Sequence, residues 1–85
     1  MAEIMPMERI VRRYVRGSLE AFLDGKKDLK WVKGVIAKSG ILRYPGMLQE
    51  IFDGLRRYGD ASRYQEIRNE CLKEGWLPKE KQRRS

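Results

Sequence analysis

Three glutamates step by four along the chain, Glu66, Glu70 and Glu74, and that spacing sets carboxylates on one face of a helix. Carboxylates so arranged can do acid–base work, hold a divalent cation or simply hydrate a surface. Arg63 and Lys73 stand beside them, and interleaved opposite charges mark a solvated, ion-paired face. The single cysteine, Cys71, falls on the apolar side of the same segment, and the chain has no histidine. Cys71 therefore reads as an inert buried thiol, because the nucleophile is the thiolate and nothing nearby would draw its proton. Absence of histidine removes the commonest general base and metal ligand. One cysteine closes no internal disulfide. With no Gly-rich phosphate loop either, the expectation is a protein without catalysis, cofactor or metal.

The residues with chemical potential are cations. Lys and Arg number 19 against 12 Asp and Glu, a net charge of +7, and that sign favours a polyanionic partner. The excess is not spread evenly. Residues 1–25 are neutral and 44–77 carry −1, whereas 26–43 carry +5 and 78–85 carry +3. The first dense stretch is Lys26, Lys27, Lys30, Lys33, Lys38 and Arg43. The second is Lys79, Lys81, Arg83 and Arg84, against Glu80 alone. A third feature hides inside a neutral segment: Arg9, Arg12, Arg13 and Arg16 fall within roughly a 100° arc of a helix. Guanidinium forks and mobile ammonium groups match phosphate oxygens and release counterions on binding. Trp31, Tyr44, Tyr58, Tyr64 and Trp76 lie near cations and are candidates for base stacking, with Trp31 and Tyr64 expected in the core and Tyr44 and Tyr58 flanking turns.

Glycine and proline divide the chain into the elements that must position these groups. The first helix is expected from about Pro6, suited to a first turn, to a stop at Gly25. Its apolar face is read as Met7, Ile10, Val11, Tyr14, Val15, Phe22 and Leu23. A second opens at Asp28 as N-cap and closes at Ser39–Gly40, with Leu29, Trp31, Val32, Val35 and Ile36 in one arc and Lys30 and Lys33 opposite it. The third starts at Tyr44–Pro45 and buries Leu48, Ile51, Phe52 and Leu55, with Met47 filling core. In the fourth, Ser62 stands three before Gln65, a capping-box spacing, and Tyr64, Ile67, Cys71 and Leu72 turn inward. Gly75 should end it, with Trp76 folding back on Cys71. No segment alternates like a strand. The fold class is all-α: a small bundle of three to four short helices over residues 1–77, with a basic flexible tail over 78–85.

Val35 to Leu55 has the outline of a helix-turn-helix, its turn at Gly40–Ile41 and Gln49 able to meet an adenine edge. Its second helix carries Glu50 and Asp53 outward, however, where they would repel phosphates. Function therefore rests on charge. The expected protein is a cytoplasmic nucleic-acid binder, for DNA or RNA, serving as a regulator or accessory subunit of a nucleoprotein complex. The other class is a helical adaptor docking through Ile41–Leu42, Met47 and Trp76–Leu77 on a larger protein, or pairing as a homodimer. No uncharged run approaches the ~18 residues of a membrane span, and the acidic start fits neither signal nor transit peptide. If the tail tracks phosphates, deleting residues 79–85 lowers the magnitude of the slope of log affinity against log salt by about 0.9 per lost duplex contact, and the unfolding midpoint stays put. Binding titrations at several salt concentrations check the slope. An unchanged slope would make the tail a solubility feature.

Overall fold

Each helix boundary has a local chemical cause. The computed structural model describes residues 7–78, and within them the elements are α1 (Met7–Leu23), α2 (Leu29–Ser39), a 3-10 turn (Ile41–Arg43), α3 (Met47–Gly54) and α4 (Ala61–Lys73). Pro6 and the basic tail with Lys79, Lys81, Arg83 and Arg84 lie outside the described residues. Helix α1 ends in a Schellman motif: Lys26 N–H reaches the Ala21 carbonyl at 2.9 Å and Gly25 N–H the Phe22 carbonyl at 3.0 Å, with Gly25 at φ +81°. Only glycine takes that left-handed conformation without strain. Helix α4 ends the same way, Trp76 N–H on the Cys71 carbonyl at 2.9 Å and Gly75 N–H on Leu72 at 3.1 Å. Trp76 thus folds back as its position after Gly75 requires.

Two helix starts differ from the sequence reading. Tyr44–Pro45 does not open α3. Met47 N–H bonds the Tyr44 carbonyl at 3.1 Å, and Gly46 has φ +85°, ψ −14°, the geometry of a type II turn with proline at its first corner and glycine at its second. The helix begins only after that turn. Helix α4 is capped by Asp60, whose Oδ1 accepts from Ser62 N–H at 2.8 Å, so the Ser62–Gln65 capping box does not form. Asp28, in contrast, caps α2 as expected, accepting from Trp31 N–H at 2.9 Å.

The core is built from Val15, Leu19 and Phe22 of α1, Val32 and Ile36 of α2, Ile51 and Phe52 of α3, and Ile67 and Cys71 of α4, closed by Ile41, Leu55 and Leu77. Its α1 face is displaced from the expected one. Met7, Ile10 and Tyr14 are exposed, while Leu19 and Ser18 are buried. Buried Ser18 is satisfied by its own helix, its hydroxyl donating to the Tyr14 carbonyl at 2.9 Å. Helix α1 carries two apolar stripes, and the one containing Val15 and Leu19 is the one the core buries. Trp31 is also outside the core. Tyr64 lies edge-on to Phe52, 5.8 Å between centroids, and its hydroxyl donates to the Phe52 carbonyl at 3.0 Å. Burying Tyr64 therefore leaves no orphaned polar atom.

Two glycines make opposite predictions. A Cβ on Gly34, inside α2, would meet nothing within 4 Å, so Gly34→Ala gains about 1 kcal/mol of helix propensity and raises the unfolding midpoint by roughly 4–8 °C. Gly59 has φ +67° and its Cβ would stand 2.8 Å from the Leu23 carbonyl oxygen. Gly59→Ala combines left-handed strain with a backbone clash and lowers stability by about 2 kcal/mol or more. Thermal melts of both variants check the signs; equal shifts would contradict this packing.

Candidate functional site

The turn from α1 to α2, residues 24–28, carries Lys26 and Lys27 and is held from beneath by the segment before and inside α4. Arg63 Nε donates to the Phe22 carbonyl at 2.7 Å and its Nη2 to the Lys27 carbonyl at 3.0 Å. The same guanidinium lies over the Phe22 ring, 4.3 Å from the centroid, an orientation in which a cation meets the negative face of the ring. Asp60 N–H reaches the Leu23 carbonyl at 3.3 Å, and Tyr58 Oη donates to Asp24 Oδ2 at 3.0 Å. That last bond pushes the Tyr58 phenol above its ordinary pKa, since ionising it would remove the donor and set two negative charges side by side. Four side-chain and backbone links thus fix the turn.

On this support the cations divide into those the fold consumes and those it leaves outward. Lys33 is consumed. Its ammonium, expected on the solvated side of α2, lies 2.9 Å from Glu70 Oε1 and 2.9 Å from Glu74 Oε2, and it is only 25% exposed. It ties α2 to α4, and the charge that the sequence offered to phosphate is engaged by two carboxylates. The arginine stripe is split. Arg12 pairs with Glu50 at 2.8 Å and Arg16 with Glu20 at 3.2 Å, whereas Arg9 and Arg13 are exposed and have no acidic partner among the described residues. Lys26, Lys27, Lys30, Lys38 and Arg43 are likewise exposed without such a partner. Lys30 and Lys38 project from the outer side of α2, roughly 12 Å apart along its axis. Lys27 Nζ stands 5.0 Å above the exposed indole of Trp31, so the lysine stem covers the ring that the sequence assigned to the core.

The remaining candidates lose their chemistry to the fold. Glu70 also lies 3.5 Å from Lys73, and its pKa is held below the ordinary 4.5 chiefly by the Lys33 hydrogen bond. A carboxylate so stabilised is a poor proton donor near neutrality. Cys71 is buried, and desolvation pushes its thiol up to about 12. Among the described residues no group of three or more acidic or sulfur side chains is placed to hold a metal ion, and no helix is long and apolar enough to cross a membrane. Gln49 donates to Asp53 Oδ1 at 3.0 Å, and Gly40 to Gly46 separate α2 from α3, a longer link than the 3–4-residue turn of a helix-turn-helix. Of the adaptor surface, Ile41, Met47 and Leu77 are buried and only Leu42 is fully outward.

Arg63 escaped the sequence reading because its partners are 36 and 41 residues away. One local sign was present: a cation in the first turn of a helix faces the positive end of its dipole, and such a residue needs a compensating acceptor. Compared with protein-family models, with curated proteins and with solved structures, the chain matches none.

The Lys33 bridge has a defined pH window. Hydrogen bonds to Glu70 and Glu74 raise the Lys33 pKa above its ordinary 10.5, so its contribution is whole below 10.5 and fades as pH climbs through the raised value. The Glu70 contribution is whole above 4.5 and fades as pH falls through its lowered value. The gap in unfolding midpoint between the wild type and Lys33→Gln should therefore be widest between these limits and shrink toward both. A gap as wide well below pH 4.5 and well above pH 10.5 as between them would contradict the bridge.

Proposed function

We propose that this chain is a small nucleic-acid-binding protein, a regulator or accessory subunit of a nucleoprotein complex rather than an enzyme, which grips phosphates with Lys26, Lys27, Lys30, Lys38 and Arg43. The observation that carries the reading is the division of charge. Five of the six cations between residues 26 and 43 are exposed with no acidic partner among the described residues, while Lys33, Arg12 and Arg16 are paired internally. A fold that pairs Lys33, Arg12 and Arg16 internally and leaves these five cations outward along α2 and its flanks presents a field that attracts polyanions. Contacts of this kind act on backbone phosphate and carry little sequence information, so weak sequence preference is part of the proposal.

The turn fixed by Arg63, Asp60 and Tyr58 supports the reading physically. A held loop loses less conformational entropy on binding than a mobile one. Trp31, exposed at the edge of the cluster, adds a flat ring on which an unpaired base can stack if Lys27 swings aside. The adaptor reading is weakened by the burial of Ile41, Met47 and Leu77. Burial of Cys71 and ion pairing of Glu70 count against these two residues as a nucleophile and an acid.

The test is binding to duplex DNA, single-stranded DNA and structured RNA across salt concentrations. Three to five phosphate contacts give a slope of log affinity against log salt of roughly −3 to −4.5 on duplex. Replacing Lys26, Lys27, Lys30 and Lys38 together by Glu abolishes binding and keeps the helical circular-dichroism signal. Lys33→Gln lowers stability and leaves the salt slope in place. Undiminished binding by the fourfold variant would put the site elsewhere, and a stoichiometric protein partner retained after nuclease treatment would favour the adaptor.

A further inference from the structure

The outward stripe of α1 is the largest apolar feature that neither the core nor the cationic surface uses. Met7 is 62% exposed, Ile10 47% and Tyr14 56%. Gly17 and half-buried Ala21 continue the same line, so the spacing is three, four, three, four, the seam of a helix that pairs with another helix. Gly17 is exposed and a Cβ there would meet nothing within 4 Å. Nothing inside the fold requires that glycine, which as a helix-interior residue forgoes about 1 kcal/mol relative to alanine.

We propose that α1 pairs through this stripe with α1 of a second copy of the chain, the two helices running antiparallel about a two-fold axis. Two independent features select both the occupant and the direction. The first is size: the large residues Met7, Ile10 and Tyr14 come before the small residues Gly17 and Ala21. An antiparallel pair sets Tyr14 against Gly17 and Ile10 against Ala21 of the other copy, large against small, with both layers repeated by symmetry. A parallel pair would set Tyr14 on Tyr14 and leave a void at Gly17. The second is charge: Arg13 and Glu20 lie seven residues apart on one flank of the seam. In an antiparallel pair that flank faces itself, so Arg13 meets Glu20 of the second copy and the reverse, whereas in a parallel pair it faces Val11 and Ser18. Arg13 has no acidic partner among the described residues, and Glu20 takes Arg16 Nε on Oε2 only. The association goes beyond the nucleic-acid reading and does not depend on it.

One helix pair of this length buries less than the ~800 Å² per partner of a standard interface, so the dimer is expected to be concentration-dependent. Sedimentation of the full chain over a wide concentration series should give a reversible monomer–dimer equilibrium. Tyr14→Glu should raise the dimer Kd by about tenfold or more and leave the helical signal intact. Arg13→Glu should weaken the dimer, and Arg13→Glu combined with Glu20→Arg should recover it. Gly17→Leu is the decisive variant. It adds apolar surface and would strengthen indiscriminate hydrophobic association, but it should block this dimer by filling the site of Tyr14. A chain monomeric throughout, a Kd unmoved by Tyr14→Glu, failure of the double charge exchange to recover pairing, or tighter association of Gly17→Leu would overturn the proposal.

Discussion

The two hydrogen bonds from Arg63 to the carbonyls of Phe22 and Lys27 are the constraint on which the arrangement of this molecule depends. A helix C-terminus leaves carbonyls without intrahelical partners, and at the end of α1 the Phe22 carbonyl receives both Gly25 N–H and Arg63 Nε. The charge-assisted bonds are the stronger kind, and the planar fork fixes direction as a lysine could not. Just before α4, Gly59 passes so close to Leu23 that a Cβ would stand 2.8 Å from its carbonyl oxygen, and the missing side chain is what allows that approach. The turn that presents Lys26 and Lys27 is thereby fastened to α4 rather than hanging between two helices.

A second constraint follows from packing helices this rich in charge. Helices α2 and α4 approach with Lys33 between Glu70 and Glu74, so the acidic row of α4 is answered by one lysine of α2. Arg12 and Glu50 do the equivalent between α1 and α3. Lys26 and Lys27 remain outward on the turn held by Arg63, beside a tryptophan whose ring shelters under Lys27. Such exposed pairs contribute little to stability one by one, and their larger effect is to decide where the uncompensated field lies.

Much of this architecture was legible in the residues because its causes are local. Gly25, Gly40 and Gly75 stop helices, Asp28 starts one, and the Leu48–Ile51–Phe52 stripe of α3 has one reasonable burial. The misreadings arose where two local answers competed. Helix α1 has apolar residues on two stripes, and periodicity does not say which meets the other helices; Val15, Leu19 and Phe22 win because they complete the core. Asp60 and Ser62 are both good caps, and the one that starts α4 earlier is used. Lys33 and Arg63 were invisible in their roles, since each is defined by partners at least 36 residues distant. The cationic cluster was found from composition, but its internal division into consumed and available charge required the packed helices.

We propose the available charge at the α1–α2 turn as a phosphate-binding surface. The most direct measurement is a residue-resolved NMR titration of the full chain with a short nucleic acid at low salt. Amide shift changes should concentrate at residues 26–31 and around Lys38 and Arg43, with the Trp31 indole N–H among the most affected and the outer face of α3 near Asp53 unmoved. Changes centred on α3, or none at any residue, would contradict it.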